Sequence, residues 1–173
     1  MAKAIASSVR LYQLDFSSMR TWLMAALFVI GNIALPQLCH LVPNGGLVFL
    51  PIYFFTLIGA YKYGWKVGLL TAVLSPLVNC ALFGMPAVAS LPAIEMKGIL
   101  LALAASYAAA RFSRVNLLIL VGVVLSYQVA GCVLEGLYHS SFAAGIQDFR
   151  LGVPGMLLQV VGGYVVLRYL LKK

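Results

Sequence analysis

Four polar side chains, Gln128, Cys132, Glu135 and His139, follow one another at steps of four, three and four residues inside a long apolar stretch. On an α-helix that spacing places all four on one face. An amide, a thiol, a carboxylic acid and an imidazole together suit the binding of a polar ligand. An ionisable group at membrane depth also needs a partner to be tolerated there. Other polar residues sit at the same end of their apolar blocks: Asn79 four residues after Ser75, Asn32 and Cys39 with Gln37 and His40, and Gln159 after Asp148 and Arg150. Glu95 and Lys97 open a further block. Glu135 leads the set, because it lies on the polar stripe a few residues inside the end of its span.

Each candidate also has a plainer reading. Glu95 follows Ser90 and Pro92, where an acid favours the positive end of a helix dipole. Lys97 can snorkel to an interface or pair with Glu135 or Asp148. Arg150 and Asp148 can pair with each other. Cys39, His40, Glu135, His139 and Asp148 are metal-ligand types, but no HxxxH or HExxH pair occurs and no metal is assigned. There is no GxSxG motif, no Asp deep within a span and no Walker A motif, so the chain reads as non-enzymatic.

The elements that position these residues follow from composition. Of 173 residues, 63% are hydrophobic and 9% charged, and the mean hydropathy is +1.02. A soluble domain is nearer half apolar and a quarter charged, so the class is a polytopic membrane protein. About 20 apolar residues cross a bilayer as a helix. Six such blocks lie at 20–41, 47–63, 65–84, 91–111, 115–138 and 151–171. The expected fold is an all-α bundle of six transmembrane helices, with a lead-in over 1–18 and a single membrane domain over 19–173.

Basic residues orient it. Lys3, Arg10 and Arg20, Lys62 and Lys66, Arg111 and Arg114, and Arg168, Lys172 and Lys173 all fall on one side; only Lys97 and Arg150 do not. Lys and Arg are retained in the cytoplasm during insertion, which predicts a multi-pass protein of the cell membrane with both termini cytoplasmic. The net charge of +8 is therefore a topology signal. It forms no phosphate-binding stripe, and nucleic acid is not expected as a partner. Arg10 and Asp15 interrupt any signal-peptide core, and Ser17 or Ser18 is placed to cap the first helix. The three cysteines show no CxxC spacing, so neither a disulfide framework nor a zinc ribbon follows.

Tight turns are expected at Tyr63-Gly64-Trp65 and Phe112-Ser113-Arg114, and a longer loop over 139–150. All seven prolines map to the outer half or the outer loops. Pro36, Pro51 and Pro76 look intramembrane, which points to an outward-facing cavity, because irregular backbone is tolerated at that depth only against protein or a water-filled space. Ala102, Ser106 and Ala110, and Gly122, Ser126 and Ala130, form four-residue stripes suited to close helix packing. Trp22 and Trp65 look like interfacial anchors near the cytoplasmic side.

The hairpin LVFLPIYFFTLIGAYKYGWKVGLLTAVLSPLVN and the proline-led span SLPAIEMKGILLALAASYAAARF, mainly in residues 47–111, carry a resemblance to the S components of energy-coupling factor vitamin transporters. The likeness covers most of the chain in layout. It implies a subunit that captures a vitamin-like micronutrient from outside and works with a transmembrane coupling subunit and two ATPase subunits. ATP would be used by those partners, with no cofactor bound by this chain. Binding residues implied are Asn79, Glu95, Lys97, Gln128, Glu135, His139, Asp148, Arg150 and Gln159. The family's AxxxA stripe on the first span is not reproduced, since Ala25 and Ala26 are followed by Val29 and Ile30. The chain begins Met-Ala-Lys, unlike the Met-His start of the metal-transporting relatives. The alternative reading is a six-span membrane scaffold of the MreD cell-shape type, which would need no convergent pocket.

Overall fold

Six stretches are helical, long enough and apolar enough to cross a membrane: Met19–Cys39, Gly45–Tyr63, Trp65–Phe83, Val88–Phe112, Leu117–Leu137 and Val153–Leu171. They match the six predicted blocks to within a few residues, and the protein is an all-α, six-span membrane bundle. A computed structural model describes residues 11–138 and 142–171. Its helices are α1 (Met19–Cys39), α2 (Gly45–Phe49), α3 (Phe54–Tyr63), α4 (Trp65–Phe83), α5 (Leu91–Phe112), α6 (Leu117–Tyr138), α7 (Phe142–Leu151) and α8 (Val153–Leu171), with short 3-10 turns at Pro51–Tyr53 and Val88–Ser90. The predicted tight turns are present: Gly64 has φ 95° and Ser113 has φ 48°.

Two expectations are corrected. The second span is not one helix. Leu50 adopts a left-handed conformation, φ 46° and ψ 45°, and Pro51, which has no N–H, opens the 3-10 turn that leads into α3. Residues 139–150 were expected as a loop, yet most of them form α7. Its sequence FAAGIQDFRL contains no proline, and Phe149 gives it an apolar residue packed against the core.

The second span is the axis of the bundle. It is 67% buried, against 28–39% for the other five, so its neighbours wrap it and turn their own outer faces to lipid. It meets α1, α4, α5 and α8. Between α1 and α3 the fit is reciprocal. The Phe55 ring fills the space a Cβ on Gly31 would take, and the Phe28 ring does the same at Gly59. The two backbones thus approach closely, which is how helices hold together where water supplies no driving force. The predicted small-residue stripes fare unevenly. Ala102 is fully buried, but Ala110 is exposed, and on α6 Gly122 and Ser126 face out. The buried small face of α5 is Ala102, Ala105, Ala108 and Ala109.

The lead-in ties the basic end together. Tyr12 N–H donates to the Lys62 carbonyl at 2.9 Å and Leu14 N–H to that of Tyr63 at 3.3 Å. Tyr61 hydroxyl donates to the Arg114 carbonyl at 2.6 Å, and the Lys62 ammonium donates to the Leu170 carbonyl. Ser18 precedes α1 but its hydroxyl makes no cap bond; Thr21 hydroxyl donates to the Asp15 carbonyl instead. Trp22 and Trp65 are both exposed here, as interfacial anchors would be. Lys3, Arg10, Lys172 and Lys173 lie outside the described residues.

At the opposite end, hydrogen bonds repair what proline breaks. Asn32 of α1 is fully buried. Its Nδ2 donates to Thr56 Oγ1 at 3.2 Å and to Ser75 Oγ at 3.1 Å. Its Oδ1 accepts the Phe55 N–H at 3.1 Å, at the start of α3, where backbone donors lack a full set of intrahelical acceptors. Its own carbonyl is four residues before Pro36, which has no N–H to give it. Asn79 of α4 supplies the missing donor, Nδ2 to Asn32 O at 3.0 Å.

Two measurements check this account. Asn32→Leu strands the Phe55 N–H, while the Thr56 and Ser75 hydroxyls lose the Asn32 donor but keep their bonds to the Ile52 and Thr71 carbonyls. It should destabilise the bundle by about 1–3 kcal/mol for the one donor left unpaired; unfolding in detergent reads it, and an unchanged midpoint would contradict the cross-linking role. Asp15 is hydrogen-bonded by Lys66 and by the Phe16 N–H, and these hold its carboxyl below the ordinary 3.8. A lowered folded-state pKa means stability that is present above the ordinary value and lost as pH falls through the lowered one. Asp15→Asn should therefore flatten the acid limb of the unfolding midpoint below pH 3.8. Parallel acid limbs in the two proteins would refute it.

Candidate functional site

The proline end encloses two adjoining cavities. The smaller, of about 270 Å³, lies between α2, the Pro51–Tyr53 turn, the start of α5 and the end of α6; Leu50, Tyr53, Ala93, Lys97 and Glu135 border it. The larger, of about 420 Å³, is bounded by Pro36, His40, Pro51, Asn79 and the Gly84-Met85-Pro86-Ala87 segment. Gly46, Leu47, Ile52, Ser90 and Ile94 line both, so the two read as one crevice. Its combined size is that of a small-molecule site, apolar in its walls with a few polar groups. Of the three prolines from which an intramembrane cavity was expected, Pro36 and Pro51 border it, whereas Pro76 is buried within α4 and borders neither part.

Lys97 and Glu135 form the charged part. Lys97 is only 2% exposed, and its Nζ lies 2.5 Å from Glu135 Oε2. Apart from water, a charge is tolerated only when paired. The pairing depends on Gly131. A Cβ there would meet Lys97 Cγ at 2.5 Å, so the bare α6 backbone is the groove in which the lysine stem lies. Gly131 stands one turn before Glu135, and Gln128, which with Glu135 belongs to the stripe that the spacing marked, three residues earlier still.

Asn79 is fixed from α4. Nδ2 donates to Asn32 O at 3.0 Å and to Ser75 O at 2.9 Å. Both are acceptors, which settles which end of the amide is the NH₂ group. The oxygen is thereby left on the other side, in a residue only 1% exposed, with no hydrogen-bond partner among the described residues.

The remaining predicted residues divide. Gln128 and Gln159 are fully buried but border neither cavity. Tyr127 hydroxyl donates to Gln159 Oε1 at 3.0 Å, and the Tyr127 ring rests against Tyr53, centroids 5.5 Å apart. Gln159 therefore supports the cavity wall from behind. Neither amide atom of Gln128, nor Gln159 Nε2, has a hydrogen-bond partner among the described residues. Glu95 is half-buried and outside both cavities; α5 starts at Leu91, so Glu95 also falls beyond the first turn of the helix. Arg150 is exposed on α7. Asp148 belongs to α7, but its side chain, like the whole of His139, lies outside the described residues.

Sequence reasoning missed Gly46, Leu47, Ile52, Tyr53, Ser90 and Ile94 as lining residues, and Gly131 as the seat of Lys97. Asn44-Gly45-Gly46 and Pro51 signalled the break that exposes the first four; nothing in the chain singles out Ile94. Volume alone does not mark a site. A shallow groove of about 360 Å³ between α5 and α6 is lined by Ala104, Tyr107, Phe112, Gly122 and Ser126. It offers little polarity, and the Ser126 hydroxyl already donates to the Val123 carbonyl at 2.8 Å.

No family model matches the chain, no curated protein matches its sequence and no solved structure matches its fold. The site is therefore read from its own residues.

The ion pair makes a distinctive energetic prediction. Lys97→Met or Glu135→Leu alone leaves one charge uncompensated and should cost about 3–5 kcal/mol of stability. The double variant removes both charges and should recover most of that loss. Unfolding in detergent across the double-mutant cycle measures the coupling, and simple additivity of the two losses would rule the pair out as an energetic unit.

Proposed function

We propose that this chain is the substrate-binding membrane subunit of an energy-coupling factor importer, of the S-component kind. It captures a small organic micronutrient of the vitamin type from outside the cell. The observation that carries this reading is the crevice at the proline end, where Lys97, Glu135 and Asn79, with His40 and Ser90, bring polar groups to a largely apolar space of small-molecule size. The basic residues favour the same arrangement. If their end lies in the cytoplasm, the crevice opens outward, on the side from which a nutrient arrives.

Transport then needs partners. This chain has no Walker A motif, so ATP hydrolysis belongs to two ATPase subunits acting through a transmembrane coupling subunit. Capture in the crevice and release on the other side require a change of conformation or tilt driven from outside the chain. The bundle is suited to that: its large exposed side chains, such as Leu23, Leu27 and Ile30 on α1, contact lipid or partner helices with equal ease.

Mass spectrometry of small molecules released from the purified protein tests the reading. Wild type should release an organic compound, and Glu135→Gln should retain at least tenfold less of it. Copurification with a coupling subunit and ATPases is the second expected result. If neither protein carries a ligand and neither binds any of a broad vitamin panel, the importer reading fails, and a non-transporting scaffold becomes the better account.

A further inference from the structure

The polarity of the crevice restricts what it accepts. At one end stand an ammonium and a carboxylate in contact, Lys97 and Glu135. Their charges compensate each other, so a net charge on a ligand entering this low-dielectric space would find no surplus counter-charge in the pair. At the other end the larger cavity is bordered by Asn79 and, beside Gly46, by the His40 ring, which carries no charge as a neutral imidazole. Its NH₂ group is committed twice over, to the carbonyls of Asn32 and Ser75. Its oxygen is a buried acceptor with no partner among the described residues.

An acceptor fixed in this way can only receive a donor. It cannot rotate to offer its NH₂ group, because that would bring its oxygen against two carbonyl oxygens and leave Asn32 O, already deprived by Pro36, without a hydrogen bond. A ligand carboxylate at this position would set like partial charges face to face. A carboxamide, a lactam N–H or a hydroxyl would fit. Between the two polar ends the shared walls are Leu47, Ile52 and Ile94 with the Ser90 hydroxyl, which suits an apolar or flat body.

We propose that the crevice selects a net-uncharged small molecule, one end of which donates an N–H or O–H hydrogen bond to Asn79 Oδ1 while the other is received by the Lys97–Glu135 pair. Asn79 is the specificity-determining residue in this scheme: it reads the presence of a donor and rejects an anion. The inference rests on the chain being a ligand-binding subunit and adds the chemical class of its ligand. It differs from what the bare sequence allows, since Lys97 taken alone suggests a carboxylate and Glu135 taken alone suggests an amine.

Matched probes decide it. The wild-type protein in lipid nanodiscs is offered three pairs that differ in one polar group: nicotinamide and nicotinate, biotinamide and biotin, panthenol and pantothenate. Within any pair that binds, the uncharged member should bind at least tenfold more tightly, the range expected when a buried acceptor loses its donor or faces a charge. Asn79→Leu should abolish that preference. Its folding is checked by its thermal midpoint, and the wild-type preference stands as the test if the variant does not fold. An equal or tighter affinity for the anionic member overturns the proposal while leaving the binding-subunit reading intact, and so does a folded Asn79→Leu protein that keeps the preference. If no probe binds but mass spectrometry finds a released compound, a charged compound overturns the proposal and a neutral donor supports it. If nothing binds and nothing is released, the binding-subunit reading fails and this inference falls with it.

Discussion

Inside a bilayer every backbone N–H and C=O must find its partner within the protein, and this constraint is felt most at Asn32. Pro36 leaves the Asn32 carbonyl without its helical donor, and the Leu50–Pro51 break leaves the start of α3 without all its acceptors. One side chain and its neighbour on α4 repair both. Asn32 accepts the Phe55 N–H and donates to Thr56 and Ser75, while Asn79 reaches back to the freed carbonyl. Because three helices are tied at this point, the chain can bend around an internal space without exposing backbone to lipid. The cavity and the repair are two aspects of one arrangement.

The charged pair is built by a different device. Long side chains at membrane depth usually reach for the interface, but Lys97 lies along a helix face made bare by Gly131 and ends on Glu135. The position of the ammonium is thus set by packing on its stem as well as by attraction at its tip. A second support runs through aromatic rings, from Tyr53 at the cavity to Tyr127 and on to Gln159 of α8. The α8 helix therefore contributes to the site without lining it.

The six spans, the all-helical class and the convergence of polarity at one end were legible, because each depends on hydropathy or charge repeated over many residues. Glu135 with Lys97 was legible as one of two pairings, since spacing gives a face but not the neighbour across it. The helix over Phe142–Leu151 was not, because a polar connection carries no apolar run long enough to announce itself. The stripe at Gly122, Ser126 and Ala130 misled for a related reason. Small residues at a spacing of four permit close approach, yet they do not say whether another helix comes to use it. Gly131 was invisible beside them, although it matters more, because its effect appears only when the Lys97 stem is laid against it. Glu95 shows the reverse error, a charged residue noticed for its type and placed by the fold outside the crevice.

The amide of Asn79 belongs at once to the wall of the crevice and to the hydrogen-bonding of α1. A position under two obligations is hard for evolution to revise: a replacement that improved contact with a new ligand would unsettle the helix that Pro36 interrupts. The side chains of Leu47, Ser90 and Ile94, which also line the crevice, hold no such backbone repair in place among the described residues. Descendants of this fold that changed their diet would be expected to differ there first, keeping the asparagine as an inherited fixture while the facing surface was recut to shape.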